Sequence, residues 1–301
     1  MKRGVAAVWV SAAVALSVVT LNAGSSTSAA KSQPLPSSFC SKVSSGTGTP
    51  DYLIVSDLAA QGNSVVVARF VAAIEFVLAQ HGFKAGRYSV GYQSCDDSTP
   101  QTPQGDLAKC ASNAKAYAAN PSVIGVIGTW SSDCAGVELP IIGRSPTGPL
   151  ALVSPINTNP GLTHSSGGSA PGEPGRYYPS GRRNFARLIA PDDFQGVAAA
   201  VLAKQLGLRR VFVLDDAEQY GLDVAGGFRR AARNLHFSVV GSASWHVSQS
   251  QFDEVAMRVA RAHPDGILLG GYGCAGCAAL IKALRAHLPR SRLIAPEGFL
   301  P

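Results

Sequence analysis

From Tyr52 onward, short and nearly unbroken apolar runs alternate with longer segments whose apolar residues recur at helical spacing. YLIVSDL reads as a strand, 65–80 as a helix and YSVGYQS (88–94) as a second strand. A helix follows over 106–119, then the strand SVIGVIG (122–128), a shorter helix after Ser132 and the strand LALVSP (150–155). Strands that are apolar along their whole length, each followed by a helix, belong to a parallel sheet covered on both faces. Residues 51–189 therefore read as one α/β lobe.

Within it, 164–183 (HSSGGSAPGEPGRYYPSGRR) is too dense in Gly, Pro and Ser for either regular element and reads as a long surface loop. A second alternation then begins, with helix 194–206, strand RRVFVLDD, helix 221–235, strand FSVVGSASW, helix 250–262, strand DGILLGG, helix 274–287 and strand SRLIAPEG. Residues 190–301 are thus a second α/β lobe, and a cleft between the two is expected. In open parallel sheets ligands sit beyond the carboxyl ends of the strands. The segments there carry small hydroxyls, aromatics and one carboxylate after the last strand, a set suited to a small zwitterion.

Outside the alternation the chain changes character. Lys2 and Arg3 precede an apolar run from Val5 to Leu21 and a small-residue stretch ending at Ala30, so 1–30 reads as a secretory signal peptide rather than a retained anchor. Residues 31–50, rich in Ser, Gly, Thr and Pro, read as a flexible leader. The formal charge of +7 is spread along surface-type positions without interleaved aromatics, which argues against nucleic acid as a partner. Six cysteines in an exported chain imply disulfides. Their pairing stays open among about fifteen connectivities.

GGYGCAGC, from Gly270 to Cys277, spells both G-x-G-x-x-G and C-x-x-C. A dinucleotide site is disfavoured in an exported chain and by the late position of the motif. A redox pair at Cys274 and Cys277 stands as the enzyme-class alternative, a local structural disulfide being the commoner fate in such a compartment. There is no G-x-S-x-G, H-E-x-x-H or P-loop, and the six His are scattered without ligand spacing. The acid pairs Asp96-Asp97 and Asp215-Asp216 read as helix caps or loop ties.

The ordered set SDLAAQG, YQSCDDST, VIGVIGTWSSDCA, LVSPINTNPGLT, the D-D-x-Q-G of Asp192 to Gly196, LDDAEQYG, LLGGYG and APEGF resembles the leucine/isoleucine/valine-binding branch of the periplasmic binding proteins of ABC transporters. The resemblance implies the type I fold, an α/β fold of two parallel-sheet lobes, and no catalysis or cofactor. It implies a small-molecule ligand, an amino acid or related polar metabolite, passed by a monomer to a membrane permease. An extracellular sensor of the same fold is the alternative within that class. Carried over position by position, Ser132, with Ser131 beside it, would take the ligand carboxylate at a helix start, where donors and positive partial charge are available. Thr158 and the Ile156 carbonyl would touch the head group, Glu297 would pair with the ammonium, and Tyr220 and Tyr272 would wall the pocket. Ser132 also reads as a helix N-cap. Gln61 stands where some relatives place an aromatic. The family also implies a return segment to the first lobe beyond the PEG stretch, so the chain reads as one that stops short of it.

Overall fold

The computed structural model describes residues 31–166, 169–246, 251–272 and 276–299. The signal-peptide reading of 1–30 and Cys274 lie outside them. Among the described residues the strands form two sheets. In the first, β1 (Tyr52–Leu58), β3 (Tyr88–Asp96), β4 (Val123–Gly128), β5 (Ala151–Ser154) and β6 (Phe185–Arg187) run parallel, and the short β2 (Lys84–Ala85) pairs antiparallel with β3. The order is β2-β3-β1-β4-β5-β6. The second holds β7 (Arg210–Asp215), β8 (Ser238–Ser244), β9 (Gly266–Gly270) and β10 (Arg292–Ile294), parallel throughout, in the order β10-β9-β7-β8.

The unbroken apolar runs follow from burial on both faces. In β7, Val211 and Val213 enter one core with Phe228 and Leu268, while Phe212 and Leu214 enter another with Ile267 and Leu280. Alternate side chains point to opposite faces, so a strand covered twice can spare no polar position. The crossover helices are α1 (Ser64–Gln80), α2 (Leu107–Ala119), α3 (Ser132–Ile142), α4 (Asp192–Gln205), α5 (Gln219–Asn234), α6 (Asp253–Arg261) and α7 (Cys277–His287). Register aligns the carboxyl ends: Asp57 lies opposite both Cys95 and Gly128, and Asp215 opposite both Gly270 and Ser244. The segments that leave these ends therefore gather along one edge of each sheet.

Three expectations need correction. Residues 31–50 are not a loose leader. Ser41 and Ser44 donate backbone bonds to Ser94 and Tyr92 (2.7 and 2.8 Å), the Leu35 amide donates to Gln93 Oε1 (2.7 Å), and a disulfide joins Cys40 to Cys95. The segment closes the open edge of β3 by backbone pairing, a crosslink and a few apolar anchors, since Leu35 and Cys40 are buried in the first core with Phe39 and Val43 against it. Phe185–Arg187, within 51–189 but given no element from the sequence, adds the last parallel strand of the first sheet. The 164–183 loop is partly anchored, since Tyr178 is buried and its hydroxyl donates to the Leu162 carbonyl at 2.5 Å.

The second disulfide, Cys110 to Cys134, ties α2 to α3. The two crosslinks span 55 and 24 residues. By the chain-entropy argument each stabilises by about 3–4 kcal/mol. Replacing both cysteines of either pair by serine should lower the denaturant-derived stability by that order. Loss of the Cys40 pair should in addition make 31–50 the first site of limited proteolysis, and protection equal to the parent would show that backbone pairing alone holds the segment.

Candidate ligand-binding site

Two loops of the first sheet are laced together. Asn157, buried, donates from Nδ2 to the Thr129 carbonyl (2.9 Å) and accepts the Thr129 amide on Oδ1 (3.3 Å). Ser154 Oγ in turn accepts the amides of Asn157 (2.8 Å) and Ile156 (3.2 Å). The cap of α3 is Ser131 and not Ser132: the Ser131 hydroxyl accepts the Cys134 amide at 3.2 Å, in the usual N-cap pattern. Ser132 Oγ accepts the Asn159 amide (3.2 Å), which leaves its O–H proton available to an acceptor. Both serines are half-buried. Gln61 is turned away to donate to Asp96 Oδ2 (2.7 Å) and the Ser98 carbonyl (2.8 Å), so it braces the loop after β3.

On the second sheet, Tyr220 at the start of α5 stacks on Tyr272 after β9, with ring centroids 4.2 Å apart and planes 23° from parallel. Asp216 holds this corner by accepting the amides of Tyr272 (3.1 Å) and Glu218 (3.0 Å). Glu297 opens a single 3-10 turn after β10, is half-buried, and accepts from Gln195 Nε2 at 3.1 Å. Burial raises its pKa, and a hydrogen bond with Tyr220 works the other way. The Tyr220 phenol is pushed well above its ordinary range, first by burial and then by the Glu297 carboxylate.

Asp192, the first residue of α4, joins the two halves. Its amide donates to the Thr158 carbonyl (3.0 Å), and its carboxyl is hydrogen-bonded by the Thr158 side chain. Asp192 is 2% exposed. Burial lifts its pKa to about 8, with Asp223 and Glu297 adding repulsion and Arg187 offsetting part of it. Arg187 is itself committed to the Asn157 carbonyl (3.2 Å) and Thr163 Oγ1 (2.9 Å). From Asp192 the path continues through Gln195 to Glu297 and to the Tyr220 hydroxyl, which approaches Gln195 Oε1 at 3.4 Å. Helices α4 and α5 lie close enough for this because Gly196 faces α5: a Cβ there would come within 2.1 Å of the Val224 carbonyl.

Ser131, Ser132, Ile156 and Thr158 are thus grouped on the first sheet, Tyr220, Tyr272 and Glu297 on the second, and the Thr158–Asp192 contact crosses between them. Tyr272 also feels the negative charge of Asp133, at the start of α3. Asp192, Gln195, Asn157 and Arg187 received no role from the sequence. The signal was present for the first two in D-D-x-Q-G, whereas Asn157 and Arg187 act through loop contacts that no local pattern announces. Chemically the arrangement offers hydroxyls at a helix start, a carboxylate and an aromatic pair. A nucleophile paired with a base is not part of it.

Residues 55–296 match the sequence model of the periplasmic binding protein family. The chain is a member of that family. No curated protein matches the sequence. Among solved structures, the fold is similar to an ABC-transporter solute-binding protein from Rhodopseudomonas palustris in complex with 4-hydroxybenzoate, at 16% identity and a TM-score of 0.66, covering 83% of this chain and 62% of that one. A leucine-binding protein from Thermotoga maritima is similar at 22% identity and a TM-score of 0.61, over 82% of this chain and 63% of that one. An ABC-transporter substrate-binding protein from Desulfitobacterium hafniense in complex with Leu follows at 19% identity and a TM-score of 0.59, over 81% of this chain and 65% of that one. The chain spans under two thirds of the length of each, and the likeness is one of fold.

The tyrosine stack leaves a steric fingerprint at Gly298, where a Cβ would meet the Gly271 carbonyl at 2.9 Å and the rings of Tyr272 and Tyr220 at 3.0 and 3.1 Å. Gly298→Ala should therefore displace the pair. The expected outcome is an altered tyrosine signal in near-ultraviolet circular dichroism with an unchanged far-ultraviolet spectrum; an unaltered near-ultraviolet signal would show that the stack is held elsewhere.

Proposed function

We propose that this member of the periplasmic binding protein family captures a small amino acid, or a closely related polar metabolite, between two lobes, 51–189 and 190–301, outside the cytoplasm. It then presents the ligand, as a monomer, to a membrane permease of the ABC type. The observation that carries the reading is the division of chemistry across the Thr158–Asp192 contact. A helix start with Ser131 and Ser132 suits a carboxylate on one side, and Glu297 beside the stacked Tyr220 and Tyr272 suits an ammonium and a flat or apolar side chain on the other. Ligand contacts made to both lobes supply the differential affinity that closure requires. The Ile156 carbonyl and the Thr158 head-group contact belong to the same proposal. Ligand would have to compete with Asp192 for the Thr158 hydroxyl.

The Rhodopseudomonas palustris relative has a hydroxybenzoate bound, and a stacked tyrosine pair would accept such a ring. Glu297 argues for a ligand that carries a cation as well, because a hydroxybenzoate with its carboxylate at Ser131 and Ser132 would bring no counter-charge to it. Calorimetry of the mature chain with a panel of amino acids and hydroxybenzoates decides between them. Ser132→Ala should weaken the bound member by about 1–3 kcal/mol, the cost of losing a hydrogen bond to a charged group. Glu297→Gln should cost at least as much for an amino acid and should favour a hydroxybenzoate. Unchanged affinity in both variants would refute the site.

A further inference from the structure

Beneath the 128–132 loop lie three carboxyl groups for which ligand binding provides no task. Asp57 in β1, Asp97 just after β3 and Glu138 on α3 are each 0% exposed. Asp57 is bonded by Asn113 Nδ2 (3.0 and 3.3 Å). Asp97 Oδ2 accepts the Trp130 amide at 3.2 Å, while its Oδ1 meets no donor. Neither oxygen of Glu138 meets a donor, and its carboxyl is in hydrogen-bond contact with that of Asp57. Two acids in contact in a dry interior do not both ionise, so a proton must lie between them.

The charged and titratable groups facing this cluster are few. Asp96, from the end of β3, adds negative charge. Lys109 on α2 is the cation at hand, but its Nζ is spent on Asp96 Oδ2 (2.6 Å) and the Ser98 carbonyl (2.7 Å). Burial opposes the charge of Asp96, yet Lys109, Gln61 and Ser98 together hold its carboxyl down to about 2. The buried Tyr117 hydroxyl faces the cluster from α2, and the Cys110–Cys134 disulfide binds α2 to α3 beside it. Asp97 therefore sits one residue from a well-compensated carboxylate and has for itself only the Trp130 amide and the field of a lysine bonded elsewhere.

We propose that Asp97, backed by Asp57 and Glu138, is a proton-linked positioning residue: it holds the Trp130 amide, and with it Ser131 and Ser132 at the start of α3, in binding shape only while the cluster keeps its protons. As protons leave to water, uncompensated like charges accumulate in the core. The relief nearest to hand is for the 128–132 loop to lift and admit solvent. Burial, with the Asp57 charge behind it, pushes the Asp97 carboxyl up to about 8, and burial takes Asp57 to about 6. These values are raised above the ordinary one, so the protonated cluster favours the seated loop fully below about pH 4. That advantage is lost as pH rises through about 6 to 8. The consequence for ligand rests on the binding reading above; the titration does not.

The test needs no ligand, so its failure and the failure of the binding reading are separate results. In the mature chain, the Trp130 amide resonance should titrate with a midpoint above 6. Hydrogen exchange of the 128–132 amides, corrected for base catalysis, should rise between pH 6 and pH 8. Asp97→Asn still offers an oxygen to the Trp130 amide but never ionises. It should abolish the titration and exchange at least tenfold more slowly than the parent at pH 8. A parent midpoint near 4, or equal acceleration in the variant, would overturn the proposal. Should Asp97→Asn fail to fold, Glu138→Gln removes one acid and should move the Trp130 midpoint towards 4; an unmoved midpoint would also overturn it.

Discussion

The contact on which the site depends is that between Thr158 and Asp192, because it is where the loop after β5 meets the helix that begins the second half of the chain. A carboxyl that is 2% exposed is an unlikely place to put a joint unless something offsets its desolvation. Three things do so in part: its position at a helix start, the Thr158 hydroxyl, and the field of Arg187. They do not cancel the cost, as the rise to about 8 records. Near neutral pH the carboxyl therefore keeps its proton, and the joint rests on the backbone bond to Thr158 and on hydrogen bonding by a neutral acid.

The same physics recurs under the other half of the site. Asp97, Asp57 and Glu138 are buried near the start of α3, and Asp192 is buried within the field of Glu297, so each half of the proposed site has a desolvated acid close by. The contrast with Asp215 is instructive. That residue, equally a strand-end acid, is bonded by Arg229 (3.2 Å) and Ser244 Oγ (2.6 Å), and it simply ties β7 to β8 and α5. Of the strand-end acids, Asp96, Asp215 and Asp216 are paired, whereas Asp97 keeps one buried oxygen without a donor.

Much of the fold was legible because burial on both faces writes itself into sequence as unbroken apolar runs, and β1, β4, β7 and β9 fell where those runs predicted. Pattern failed where structure is held by backbone or sulfur. The 31–50 segment pairs with β3 through main-chain groups, and Cys40 meets Cys95 across 55 residues of chain. Pattern also overstated α1, whose apolar periodicity reads as a buried stripe although Val67 is its one deeply buried residue and Val65 and Phe76 are 66% and 62% exposed. For the proposed site the sequence singled out Ser131, Ser132, Tyr220, Tyr272 and Glu297, and their grouping on the ends of the two sheets is what the structure adds. Its connecting residues were not, because Asn157, Arg187 and Gln195 act through contacts between segments 28 to 102 positions apart.

GGYGCAGC shows how far one short stretch can be taken. Its Gly271 precedes a tyrosine whose amide is fixed by Asp216 and whose ring lies on Tyr220. Cys277 is disulfide-bonded, the state expected of a structural crosslink in an oxidising compartment and equally of the oxidised form of a redox pair. A nucleotide reading of the same glycines would require the α7 start to be open to a pyrophosphate. Cys277, the first residue of that helix, is buried at 4% exposure, and Tyr272 is half-exposed. What the described part of the motif contributes is Tyr272, a ring stacked on Tyr220 and lying in the field of Asp192, Glu297 and Asp216.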